Sequence, residues 1–145
     1  MYEFSAPMPS YEEHIDSLVK INETVEKSKI TNLYFALPCN CKNLTGFEQI
    51  RTNYKEPTDF DFWAKKITYT MEKGFDFVYL LNSPKPLPDD NNLLENQLSK
   101  LDILINNLKK IGGYKLRITN PQVIDYVVKN YPEMELYSDC GELSW

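Results

Sequence analysis

Gly74-Phe75-Asp76-Phe77-Val78-Tyr79-Leu80-Leu81 decides the fold. Its apolar run is nearly continuous from Phe75 to Leu81, the pattern of a strand covered on both faces, as in parallel sheets, rather than of a half-wet hairpin strand. Immediately upstream, Phe60, Trp63, Ile67 and Met71 fall on one face of a helix that starts near Thr58-Asp59 and stops at Gly74, a residue suited to a left-handed closing position. Before that helix, Ile30 to Leu37 is a strand stopped by Pro38, and Cys39 to Pro57 is a long loop. Further back, Ser10 and Glu13 form a capping-box pattern ahead of a stripe at Ile15, Leu18, Val19 and Val25, and Tyr2 to Ala6 opens the chain as a strand.

Downstream the alternation continues. Pro84-Lys85-Pro86-Leu87-Pro88 is a stiff crossover, after which an Asn92 cap leads a helix carrying Leu94, Leu98, Leu101, Ile105 and Leu108 and ending at Gly112-Gly113. Tyr114 to Thr119 is the fourth strand. Asn120-Pro121 starts a fourth helix burying Ile124, Val127, Val128 and Tyr131, closed by Pro132, and Met134 to Ser138 is the fifth strand. The class is α/β: residues 1–145 form a single domain of alternating β-α units on a parallel sheet, (βα)4β. The first turn, Ser5-Ala6-Pro7-Met8-Pro9-Ser10, lacks the Gly-rich dinucleotide fingerprint, so a partial TIM-barrel-like arrangement is expected rather than a Rossmann unit. A full barrel takes about 250 residues, so 145 make an incomplete barrel half.

Composition narrows the function classes. The chain is 42% hydrophobic and 26% charged, with a net charge of -5 and a pI near 4.9. An acidic balance without a Lys/Arg cluster argues against a nucleic-acid partner, and the longest purely apolar run, Phe77 to Leu81, is far too short to span a bilayer. Met1-Tyr2-Glu3 carries no secretory leader pattern, and three cysteines point to reduced thiols in a cytoplasm, where the sequons at Asn22 and Asn43 carry no weight.

Leu33-Tyr34-Phe35-Ala36-Leu37-Pro38, Phe77 through Asn82-Ser83, and Arg117-Ile118-Thr119-Asn120-Pro121 through Tyr131-Pro132-Glu133-Met134-Glu135-Leu136 together resemble the N-terminal half of the U32 peptidase-like, or collagenase-like, TIM barrels. The resemblance covers nearly the whole chain. It implies a barrel whose family members act as peptidases or in oxygen-independent hydroxylation of RNA bases or quinone precursors, the latter holding an iron–sulfur cluster through cysteines. Those cysteines and most catalytic residues belong to the half of the barrel that has no counterpart here, so no catalytic residue is carried over. The implied fragment is not catalytically competent alone.

Parallel α/β folds place function at the C-terminal strand ends. Four residues there could contact a ligand. Asn82 and Ser83 follow the third strand, Asn120 follows the fourth and is explained better as a helix cap, and Asp139 is the one rim carboxylate. Cys39, Cys41, Cys140 and His14 fall on the same expected face and would supply a zinc site of three cysteines and one histidine, but C-x-C is not the usual ligand spacing, and reduced thiols with a surface histidine are the plainer reading. No cofactor is expected, zinc or an iron–sulfur cluster being the alternative. One histidine and one rim carboxylate provide no acid–base pair for catalysis.

A half-barrel is expected to leave raw edges at strands one and five and an inner face of Phe, Tyr and Leu with nothing opposite. A longer barrel, a homodimer or a second chain would complete it; helices wrapped over both faces are a further arrangement. The alternative function is a non-catalytic binding or interaction module for a small molecule, peptide or partner chain, using the loops at the strand C-terminal ends.

Overall fold

A computed structural model describes residues 1–9, 11–36, 59–81 and 87–138. The elements are β1 (Tyr2–Pro7), α1 (Glu12–Thr24), β2 (Ser28–Phe35), α2 (Phe60–Glu72), β3 (Asp76–Leu81), α3 (Asn91–Lys110), β4 (Lys115–Ile118), α4 (Pro121–Asn130) and β5 (Glu135–Ser138). All four strand pairings are parallel and the sheet order is β1-β2-β3-β4-β5, each strand lying beside its sequence neighbour. Sequential order without a reversal is the barrel-type winding and leaves no topological switch point of the doubly wound kind.

Register sorts the strand side chains into two faces, because partners across a parallel ladder point the same way and alternate along each strand. Ala6, Leu33 and Phe77 share one face; so do Phe35, Tyr79, Leu116 and Leu136. These residues join a single apolar cluster with Ile15 of α1, Trp63 and Ile67 of α2, Leu101, Leu104, Ile105 and Leu108 of α3, and Val123 and Val127 of α4. All four helices therefore cover the same face, with Phe35 and Trp63 ring centroids 4.7 Å apart. Helices over both faces are excluded among the described residues. The expected inner face of Phe, Tyr and Leu holds in part: Phe77, Tyr79 and Leu81 lie under helices, whereas Tyr34, buried Val78, half-buried Leu80 and Tyr137 are on the other side.

Helix ends follow local chemistry. Asn120 caps α4, its side chain accepting from Gln122 N at 2.9 Å and Val123 N at 3.4 Å, with Pro121 at the first position. Asp59 caps α2 through Phe62 N. The cap of α3 is Asp90, accepting from Asn92 N and Leu93 N, rather than Asn92, because two acidic residues precede the helix and the second reaches the open N–H groups. The N-cap of α1 is Tyr11, whose side chain makes no capping bond, and Ser10, the anchor of the expected capping box, lies outside the described residues. Gly74 and Gly112 end α2 and α3 at φ of 93° and 83°, where a Cβ would be strained. In α4 Val127 is buried beside Val123, and Ile124 and Tyr131 pack half-buried against the core as expected, whereas Val128 is exposed.

Polar ties lock the helix layer. Asp102 of α3 accepts from Tyr126 Oη at 2.9 Å and Tyr131 Oη at 2.6 Å, and burial with these bonds pushes the Tyr131 phenol well above its ordinary value. Asp16 of α1 accepts from Tyr69 Oη of α2 at 2.8 Å and lies 3.5 Å from Lys73 Nζ. Between α1 and the sheet, the Asn22 side chain donates to Ile30 O and accepts from Ile30 N, both at 2.8 Å. It does so beside a bulge: Phe4 pairs with Ile30 and Ser5 with Asn32, leaving Thr31 unmatched. Replacing Asn22 with Ala strands both backbone groups in a half-buried position, and we expect a loss of about 1–3 kcal/mol, read as a lowered urea midpoint with unchanged slope.

Candidate functional site

The face of the sheet that carries no described helix is charged on β4 and β5 and mixed on β2 and β3, and the alternation of the strands makes it so. Asp76-Phe77, Lys115-Leu116, Arg117-Ile118 and Glu135-Leu136 each send the apolar member to the helices and the charged one to the other side. Three register rows result. Ser5, Asn32 and Asp76 form the first; Pro7, Tyr34, Val78, Lys115 and Glu135 the second; Leu80, Arg117 and Tyr137 the third, nearest the C-terminal strand ends.

Lys115 is the hub. Its ammonium donates to Asp76 Oδ2 at 2.6 Å and to Asn32 Oδ1 at 3.5 Å, crossing three adjacent strands. The bond to Asp76 raises the Lys115 pKa above its ordinary 10.5, burial opposes this, and the charge of Asp76 and of the neighbouring Glu135 and Tyr137 adds to it. On β5, Tyr137 Oη donates to Glu135 Oε1 at 2.5 Å, and that bond, with burial, raises the phenol above its ordinary 10.0. The face thus presents cations, carboxylates and phenols held by a rigid parallel sheet, a set that can orient a polar ligand carrying both charge signs.

The residues expected from sequence distribute differently. Asn120 is the α4 cap, so its carboxamide oxygen is engaged with backbone N–H groups. His14 lies exposed in the first turns of α1, its ring edge-on to Tyr11 with centroids 5.6 Å apart. Asn82, Ser83, Asp139, Cys39, Cys41 and Cys140 lie outside the described residues, as does the whole of the long loop that contains the first two cysteines. Among the described residues no group of three His, Cys, Asp or Glu side chains is placed to hold a metal ion. No described helix is long and apolar enough to cross a membrane.

The sequence reading missed Asn32, Asp76, Lys115, Arg117, Glu135 and Tyr137. The available signal was polar residues at alternate positions inside strands, Asp76-x-Val78, Lys115-x-Arg117 and Glu135-x-Tyr137, which mark a solvated face rather than a covered one. An open groove of about 560 Å³ on the outside, between α1 and α2, is lined by Glu12, Asp61, Lys65, Thr68 and Glu72. Its volume suits a ligand, but it lies on the helix layer, away from the strand ends where parallel folds converge their polar groups.

Because Lys115 and Tyr137 both hold their protons more tightly in the fold than in the unfolded chain, their stabilisation is complete below about pH 10 and is lost as pH rises through the raised values. Urea midpoints measured from pH 8 to 11.5 should fall above pH 10, and Lys115→Met should flatten part of that fall. Comparison of the chain with protein-family models, with curated proteins and with solved structures finds no match.

Proposed function

We propose that this chain is a binding module on a half-barrel plan, taking a small polar ligand against the sheet face that carries no described helix and the adjoining C-terminal strand ends, without catalysing turnover by itself. The observation that carries the reading is the Lys115 hub, bonded to Asp76 and Asn32 and flanked by Glu135 and Tyr137 on a face with no described helix over it. Cations beside carboxylates suit a ligand with a carboxylate and an amine set apart, as in an amino acid or a peptide terminus. Binding by side chains alone needs no cofactor, and a reducing cytoplasm suits a chain with three cysteines.

The sequential parallel order supports kinship with the U32 peptidase-like barrels as part of the same proposal. Nothing in the polar rows supplies a nucleophile with its base, and the only histidine of the chain is on the outer helix layer, so peptide hydrolysis is not expected. Among the described residues, β1 and β5 are sheet edges that leave room for a second copy or another chain.

The test is an NMR titration of the labelled chain with a dipeptide, a dicarboxylate and inorganic phosphate. Dipeptide shifts should concentrate in 32–34, 76–80, 115–117 and 135–137, and Lys115→Met should weaken binding about tenfold or more, as expected for a charge-assisted bond. Shifts confined to other elements would overturn the site; cleavage of the dipeptide, lost on mutation of the chain, would overturn the non-catalytic reading.

A further inference from the structure

Exposed apolar side chains are gathered at one flank of the fold. Of the twelve large hydrophobic residues exposed among the described ones, Met1, Tyr2, Phe4, Tyr11, Ile21 and Val25 belong to β1, to α1 or to the residues bordering them. Tyr2 and Phe4 are 71% and 53% exposed, although they pair with Ser28 and Ile30 on the helix-covered side of the sheet, where Leu33, Phe77 and Leu116 are at most 2% exposed. The difference lies in the neighbours: β1 is an edge, with β2 on one side and no described strand on the other.

The flank of α1 continues the strip. Asp16 points to α2, where it meets Tyr69 and Lys73, and Ile15 points into the core. At 3.6 residues per turn, Leu18 and Ile21 fall on the opposite side of Ile15 from Asp16; Leu18 packs half-buried against the core, and exposed Ile21 and Val25 continue that side. An apolar strip of this extent beside a strand edge with no described partner marks a protein–protein surface.

The edge also has a defined hydrogen-bonding register. Tyr2 N donates to Lys27 O and Met8 N to Tyr34 O, both toward β2, so alternation turns the N–H and C=O groups of Glu3 and Ser5 outward. Pro7 occupies the next outward position and has no N–H to offer, which ends the available rung there.

We propose that this flank joins two copies of the chain through antiparallel pairing of their β1 strands about a two-fold axis at Phe4. In that register Glu3 of one copy and Ser5 of the other exchange both their outward bonds, on either side of the axis. Phe4 meets Phe4 of the second copy at the close, non-hydrogen-bonded position, and Tyr2 lies opposite Ala6. Like charges are not opposed, and Pro7 falls beyond the paired rungs. Ile21 of α1 and Val25 at its C-cap, both exposed in the single chain, then border the joined strands in both copies. The contact is the same patch on both subunits, as a closed dimer requires.

Sedimentation velocity over a concentration series, with hydrogen exchange of the Glu3 and Ser5 amides, tests the proposal. A mass twice the 17.0 kDa of one chain is expected, with both amides gaining protection as the dimer forms. Phe4→Glu, at an exposed position, should give a monomer with native circular dichroism. Ser5→Pro should do the same by deleting an outward donor without touching the apolar strip. Lys115→Met should remain dimeric, which separates this surface from the ligand face. A chain that stays monomeric at every concentration reached, or a dimer that survives both β1 substitutions, overturns the proposal.

Discussion

Everything in this fold depends on the one-sided burial of a sequential parallel sheet. When each strand lies beside its sequence neighbour and every crossover has the same hand, all helices arrive on one face. Leu33, Phe77, Tyr79, Leu116 and Ile118 then form a floor on which all four helices set their apolar stripes, each of these residues at most 2% exposed. At about 25 cal/mol per Å² of apolar surface, burial of such a floor is the main source of stability. The same constraint leaves the opposite face to be satisfied in another way, and here it is satisfied by charge. Lys115, bonded across to Asp76 and Asn32, gives that face a charged centre beside Tyr34, Leu80 and Tyr137, where it can meet water or a polar ligand.

The helix layer is tied by carboxylates acting as acceptors between neighbours. Asp16 joins α1 to α2 and Asp102 joins α3 to α4, in each case by accepting from tyrosine hydroxyls. An ion pair between Lys109 and Glu133 ties the end of α3 to the turn before β5. These bonds sit at the rim of the apolar cluster, where a phenol can bury its ring and keep its hydroxyl paired.

Element order and type were legible in the sequence because strand and helix periods differ and Gly74, Gly112 and Pro121 punctuate them. Capping was legible at Asn120, where an Asn-Pro pair leaves one interpretation, and not at α3, where Asp90 and Asn92 both offer a side-chain oxygen and only the path of the chain selects the first. The site was hidden for a different reason. A run such as Phe75 to Leu81 looks covered on both sides when its residues are counted, yet its two faces part company once Asp76, Lys115 and Glu135 are placed in register, and register is a property of strand pairs rather than of any one segment. The expected rim residues were chosen by position along strands, whereas the polar set lies inside β2, β3, β4 and β5.

Sequential strand order also shapes how the chain comes apart. Every ladder joins strands that follow one another along the chain, so the sheet is close to a one-dimensional array in which each β-α unit leans on the next and on the one before. Among the described residues of a single chain, units at the two ends have one neighbour in the ladder and the central strand β3 has two. Opening should therefore begin at β1 and β5 and move inward, with β3 and its helix α2 the last to lose order, so that cooperativity in this fold resides in its middle and the ends exchange on a shorter timescale.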